Sequence, residues 1–207
     1  MTNLILRLQK MSAYLVLLRH GQSVYNKKNL FTGIIDVPLS RQGIKEALKA
    51  RKSLKNYVFN YVFSSALKRA INTADIVFPN SPIIKDKALN ERNYGELSGK
   101  NKHEVKAKYG EKQFLYWRRS YLGAPPLGES LKNTYERVIP YFTNEILPLL
   151  KTGNNILVVA HGNSLRALIK LIEDISDDDI CKLEIPTASA VIYEYVQEKN
   201  LFNKIRL

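Results

Sequence analysis

Short apolar runs and amphipathic stretches alternate along this chain. Residues 14–18 are almost continuously apolar and lead into Arg19-His20-Gly21, the pattern of a strand buried on both faces of a parallel sheet. After a polar stretch, Ser40 precedes apolar positions at Ile44, Ala47, Leu48 and Ala50, which predicts a helix over 42–54 with Ser40 as its cap. Residues 57–63 read as a second strand, and Ser64-Ser65 as the opening of a helix that runs to Phe78 before Pro79 stops it. A short strand over 83–85 precedes an irregular run, 89–99. Helices follow over 101–109 and 111–121, broken at Gly110, and a long helical pattern over 129–150 is bent by Pro140 and Pro148. Residues 155–160 form another buried apolar run ahead of His161-Gly162, with a helix over 163–172. The last two strands, 190–196 and 202–207, suit antiparallel pairing.

This alternation predicts an α/β fold, a three-layer sandwich with a mostly parallel central sheet flanked by helices. Reactive groups should gather at the carboxyl ends of its strands. With 207 residues, 45% of them apolar, and no linker-like tract, the chain reads as one domain over 1–207. Residues 1–10 read as an extra N-terminal tail, because Met11-Ser12-Ala13 resembles a second start. That tail is too short and too polar for a secretory core or a membrane span.

Composition narrows the chemistry. The 32 Lys+Arg against 19 Asp+Glu leave a net charge of +13, which biases partners toward anions without choosing among phosphates, nucleic acid and acidic lipid. The lone Cys181 excludes an intramolecular disulfide and a cysteine-based zinc cluster, and is expected in the core; a reducing, cytoplasmic setting fits. Three histidines, His20, His103 and His161, show no metal-ligand spacing, so no metal is expected. His103 lies in a polar helix and is assigned to the surface. No nucleic-acid-binding pattern and no membrane segment are present, so neither partner is expected.

Two segments share one design: 15–23, LVLLRHGQS, and 156–164, ILVVAHGNS. Each sets a histidine at the end of a buried strand and then a glycine. In a parallel sheet both ends lie on one edge, so two imidazoles face one site. The glycines let a ligand oxygen approach the backbone, and the helix starts beyond them offer free N–H groups to an anion. Arg19 adds a planar fork for phosphate oxygens, and its charge disfavours protonation of His20, leaving the form that can attack.

From Arg19 to Asn26 the chain resembles the histidine phosphatase superfamily, and within it the 2,3-bisphosphoglycerate-dependent phosphoglycerate mutase family. The likeness continues through 29–33 (NLFTG), 36–40 (DVPLS), 67–70 (LKRA), 89–95 (LNERNYG), 101–102 (NK), 117–119 (WRR) and 160–166 (AHGNSLR). The resemblance implies that His20 carries the phosphoryl group as phosphohistidine, primed by 2,3-bisphosphoglycerate. It implies that Arg19, Arg69 and His161, assisted by Asn26, surround the transferring oxygens, and that Glu91 is the general acid and base with a raised pKa. Arg92, Tyr94, Lys102, Arg118 and Arg119 would hold the carboxylate and second phosphate of a phosphoglycerate. Ser23, Thr32, Gly33, Gly162 and Asn163 would complete the substrate contacts. Members assemble in several ways, so a homodimer or homotetramer is expected.

One departure bears on the reaction. Only residues 120–128 separate the paired arginines from Glu129-Ser130-Leu131, where the mutases carry a long segment that helps cover the site. Three alternatives to the mutase reaction stay open: hydrolysis of a small phosphomonoester, synthesis of 2,3-bisphosphoglycerate as the main task, and a non-catalytic phosphate-binding module.

Overall fold

The computed structural model describes residues 12–206; the expected tail over 1–10 lies outside them. Six strands form one sheet: β1 (Ser12–Arg19), β2 (Tyr61–Ser65), β3 (Ile83–Asp86), β4 (Ile156–Ala160), β5 (Ala190–Val196) and β6 (Leu201–Arg206). Their order is β3-β2-β4-β1-β5-β6. The first four run parallel, and β5 joins β1 and β6 antiparallel.

Period-two alternation sorts the side chains of β1 between two cores. Leu15 and Leu17 join a cluster with Val138, Phe142 and Leu168, under α6 (Leu131–Tyr141) and α8 (Gly162–Glu173). Val16 and Leu18 face the opposite way, against Ala50 of α2 (Arg41–Ser53), Leu54 that caps it, and Ala70 and Ala74 of α3 (Lys68–Val77). The result is the expected three-layer α/β sandwich. Helices α4 (Lys102–Tyr109) and α5 (Glu111–Arg119) form a further cluster with Phe31, built on Val105, Phe114 and Trp117.

Two boundaries differ from the sequence expectation. The second strand begins at Tyr61 and runs through Ser64 and Ser65, and α3 starts only at Lys68. A pair of serines before an amphipathic run looks like a helix cap, but both are fully buried at the strand end. The long pattern over 129–150 is not one α-helix. Ser130 caps α6, and a wide turn over Phe142–Ile146 joins it to α7 (Leu147–Lys151). That turn absorbs the backbone disruption that Pro140 introduces inside α6. His103 is exposed and Cys181 buried, as expected, with the thiol donating to the Asp177 carbonyl at 3.2 Å.

Candidate active site

The register of β1 on β4 pairs Arg19 with Ala160, so the next residue of each strand, His20 and His161, emerges side by side. The backbone locks this edge, with the His20 N–H donating to the Ala160 carbonyl at 3.0 Å and the Ala188 N–H to the His20 carbonyl at 3.2 Å. His20 is 3% exposed. Its Nδ1 lies 2.6 Å from the Gly21 carbonyl. A carbonyl only accepts, so Nδ1 carries the proton and Nε2 keeps a free lone pair. Burial, then the charges of Arg69 and Arg19, hold the imidazole well below its ordinary pKa. His20 is therefore a neutral imidazole with Nε2 free to attack.

The loop after His20 is fastened from behind. A Cβ on Gly21 would sit 2.4 Å from the Gly43 carbonyl oxygen, and one on Gly43 only 2.0 Å from that of Gln22. Helix α2 thus packs backbone to backbone against the nucleophile loop. The Gly21 N–H donates to Thr73 Oγ1 at 3.1 Å, and the Thr73 hydroxyl donates to the Arg69 carbonyl at 2.7 Å.

Cations surround His20. Arg69, on α3, is 1% exposed and donates to the carbonyls of Ile35 and Gly33 at 2.9 and 2.7 Å. Burial lowers its pKa to about 10, so it remains charged at neutral pH. Arg19 donates to the Ile185 carbonyl at 2.5 Å. The Nε atoms of both arginines are buried without a partner among the described residues, as are Thr32 Oγ1 and His161 Nδ1. His161 Nε2 meets Ser65 Oγ at 2.6 Å; burial, then Arg69 and His20, keep this second imidazole neutral.

Glu91 enters from the irregular run after β3. Among the described residues its hydrogen bonds converge on Oε1, which accepts from the Arg92 N–H at 2.8 Å, the Asn163 N–H at 3.2 Å and the Asn163 amide at 2.9 Å. The expected raised pKa is overturned. Burial pushes the carboxyl up, but the Arg92 N–H, the Asn163 amide and the charges of Arg69 and Arg19 together hold it below its ordinary value. In the substrate-free site Glu91 is a carboxylate, able to accept a proton.

The cavity brings together Arg19, His20, Asn26, Thr32, Gly33, Arg69, Glu91, Tyr94, Lys102, Arg118, Arg119, Gly162 and Asn163. Asn26 Oδ1 is taken by the N–H and hydroxyl of Ser23, at 3.0 and 2.9 Å, which leaves the amide NH2 for a ligand. Gly33 has φ +52° and stands where a Cβ would be 3.1 Å from the Tyr94 nitrogen, so no larger residue fits without strain.

Three of the expected residues stand behind the wall rather than on it. Ser23 is fully buried as the cap of α1 (Val24–Lys27). Arg92 stacks on the Tyr94 ring at 4.7 Å and donates to its hydroxyl at 3.1 Å. His161 is fully buried beside His20.

Four lining residues carried no role in the sequence reading, the apolar Leu30 and Phe31 and the charged Arg166 and Glu184. Arg166 stands three residues after Asn163 on α8 and donates to its Oδ1 at 3.2 Å; that helical spacing was the available signal. Glu184 pairs with Arg119, and with Arg166 at 3.6 Å; no pattern in the sequence marks it. Six cations, Arg19, Arg69, Lys102, Arg118, Arg119 and Arg166, thus face two carboxylates, Glu91 and Glu184, a balance suited to a ligand with several negative charges. Among the described residues no group of three or more His, Cys, Asp or Glu is placed to hold a metal ion. No helix there is long and apolar enough to cross a membrane.

The chain is similar to known proteins in sequence and in fold. The profile of the Histidine phosphatase superfamily (branch 1) matches residues 15–206. A 2,3-bisphosphoglycerate-dependent phosphoglycerate mutase from Cytophaga hutchinsonii is 51% identical, with 90% of each chain covered. The enzyme of the same name from Chlamydia muridarum is 44% identical over 89% of this chain and 95% of its own. Among solved structures, a mycobacterial glucosyl-3-phosphoglycerate phosphatase superposes with a TM-score of 0.79 at 25% identity, covering 94% of this chain and 98% of its own. By its match over residues 15–206 and its identity to these enzymes, the chain belongs to the histidine phosphatase superfamily and, within it, to the 2,3-bisphosphoglycerate-dependent phosphoglycerate mutases.

Proposed function

We infer that this protein interconverts 3-phosphoglycerate and 2-phosphoglycerate, in glycolysis and gluconeogenesis, through a phosphohistidine on His20 primed by 2,3-bisphosphoglycerate. The observation that carries this reading is the free Nε2 of neutral His20, set among Arg19 and Arg69 and paired in one cavity with an ionised Glu91.

In priming, Nε2 attacks a phosphorus of 2,3-bisphosphoglycerate in line. The N–P bond forms as the P–O bond breaks, and Glu91, which takes up a proton from water as the bisphosphate's negative charge enters the site, gives that proton to the departing glycerate oxygen. The phosphoenzyme then meets 3-phosphoglycerate. Ionised Glu91 takes the proton of the 2-hydroxyl, whose oxygen attacks the phosphorus and frees His20. The resulting bisphosphate returns its 3-phosphoryl group to Nε2, Glu91 protonates the 3-oxygen, and 2-phosphoglycerate leaves. The lowered pKa suits the first of these transfers. When the bisphosphate fills the site, its negative charge offsets the arginines and raises the proton affinity of Glu91 for the second.

Arg19, Arg69 and Asn26 would bind the transferring oxygens, whose charge spreads in the transition state, with His161 backing His20 from behind the wall. Lys102, Arg118, Arg119, Tyr94, Thr32 and Gly33, with the N-terminus of α8 at Gly162, would bind the carboxylate and the second phosphate. Ser23 would orient Asn26, Arg92 would orient Tyr94, and Asn163 would hold Glu91. The cytoplasm is the compartment this role implies, and a homodimer or homotetramer is the assembly we propose, to be read by light scattering.

A second reading, hydrolysis, has its own support. The short connection over 120–128 leaves Leu122 63% and Leu127 84% exposed, and a thin cover admits water to the phosphohistidine. One experiment addresses both. Mass spectrometry after brief exposure to 2,3-bisphosphoglycerate should find acid-labile phosphate on His20, and 3-phosphoglycerate should isomerise faster than phosphate is released. Full activity with no phosphate on His20 would overturn the mechanism; release without isomerisation would make the protein a phosphatase.

A further inference from the structure

Glu91 stands on a stretch of chain with no strand or helix of its own to hold it. Residues 87–89 make a single tight turn after β3, and the backbone beyond it is extended. Three carbonyls of this stretch, those of Ala88, Asn90 and Glu91, point away from the cavity toward α6. One side chain collects all three. Arg137 donates to Ala88 O at 2.7 Å, Asn90 O at 2.9 Å and Glu91 O at 3.1 Å. Glu129 takes the Arg137 Nε through Oε1 at 3.1 Å, and the Nη2 that reaches Asn90 and Glu91 is shared with Glu129 Oε2 at 3.1 Å.

Glu129 grips the same stretch two residues further on. Its Oε2 accepts the Asn93 N–H at 3.0 Å, and its own N–H donates to the Asn93 carbonyl at 2.8 Å. Neither Arg137 nor Glu129 lines the cavity. Both are about three-quarters buried, with side chains 25% and 27% exposed. The carboxylate of Glu91 is thus fixed from the front by Asn163 on α8, and its main chain from behind by α6. A lysine in place of Arg137 would keep the charge but lacks the planar array of donors that spans three carbonyls and a carboxylate at once.

We propose that Arg137, held by Glu129, is the positioning residue for Glu91, setting the distance over which the proton passes between Glu91 and the glycerate oxygens. The proposal rests on the reading of Glu91 as proton donor and acceptor. It requires that loosening the clamp slow only those steps in which the oxygen needs its proton.

The test compares two phosphoryl donors in the same step, phosphorylation of His20 in a single turnover. With 2,3-bisphosphoglycerate the leaving oxygen is an alkoxide that must be protonated. With acetyl phosphate it is a carboxylate that needs no proton. The readout is the ratio of the two rates in Arg137→Lys and Glu129→Gln, with Glu91→Gln alongside. In the two clamp variants the bisphosphoglycerate rate should fall about 10- to 100-fold relative to the acetyl phosphate rate. Equal slowing with both donors, or no slowing with either, would overturn the positioning role. Having two clamp variants keeps the comparison alive if one fails to fold. Glu91→Gln separates the failures. If it also slows both donors equally, the acid and base reading of Glu91 falls; if it shows the asymmetry and the clamp variants do not, only the role of Arg137 falls.

Discussion

His20 and His161 face each other across the seam of β1 and β4 with ring centroids 4.9 Å apart, and burial together with Arg69 and Arg19 keeps both neutral. Two buried neutral imidazoles link stability to pH in one direction. The unfolded chain protonates them below about pH 6.5, whereas the folded protein resists until lower pH. Their contribution is therefore complete above that pH and is lost as pH falls through and below it. The loss is at most about 1.4 kcal/mol per pH unit for each histidine. Thermal melts of the ligand-free protein between about pH 8 and about pH 5 should show this fall, and His161→Asn should lessen it.

The same neutrality predicts a flat rate. Phosphorylation of His20 by acetyl phosphate depends on the free Nε2 and not on a proton donor, so it should hold steady as pH drops past the ordinary histidine pKa. A rate that halves near that pH would show that His20 gains a proton where burial and the two arginines should prevent it.

Gly43→Ala sets two effects against each other. Alanine favours a helix over glycine by about 1 kcal/mol. Its Cβ, however, would meet the Gln22 carbonyl oxygen at 2.0 Å, and a backbone atom rather than a flexible side-chain tip has to move. Overpacking of this kind costs about 1–3 kcal/mol, so the expected result is a net loss of stability in urea and a lower kcat, because the displaced loop carries His20.

Removing the charge of Glu184 frees Arg119 and Arg166 for the ligand. Glu184→Gln should lower KM for 2,3-bisphosphoglycerate and strengthen inhibition by inorganic sulfate. The Glu184 side chain is 63% exposed, where solvent weakens a pair, so a change of about 3-fold is expected with kcat little altered. Initial rates with and without sulfate measure it.

The surplus of cations in the cavity predicts stabilisation by its ligand. At about 100 times the dissociation constant, 2,3-bisphosphoglycerate should add about 2.7 kcal/mol, visible as a rise in Tm that shrinks with added salt. Arg69→Ala should abolish most of that rise.

Much of this was legible in the sequence because the strongest signals are local. The apolar runs ending in His20 and His161 gave their strands and their shared edge, and Ser40 marked the start of α2. Ser64 and Ser65 misled because a buried strand end and a helix cap use the same residue; the Ser65 hydroxyl turns to His161 instead. The ionisation of Glu91 was out of reach, since beyond the neighbouring Arg92 N–H it depends on a donor from Asn163, 72 residues away, and on the charges of Arg69 and Arg19. Glu184 and Arg137 lay equally beyond pattern. Each acts through groups that only the fold brings near.

The seam that builds the site also dates its appearance during synthesis. The Tyr14 N–H donates to Asn155 Oδ1 at 2.9 Å across 141 residues of chain, where β1 and β4 begin to run together. A growing polypeptide on the ribosome therefore holds His20 early but has no pocket around it until β4 and α8 have emerged. A chain cut short before β4 and α8 carries His20 with no cavity around it.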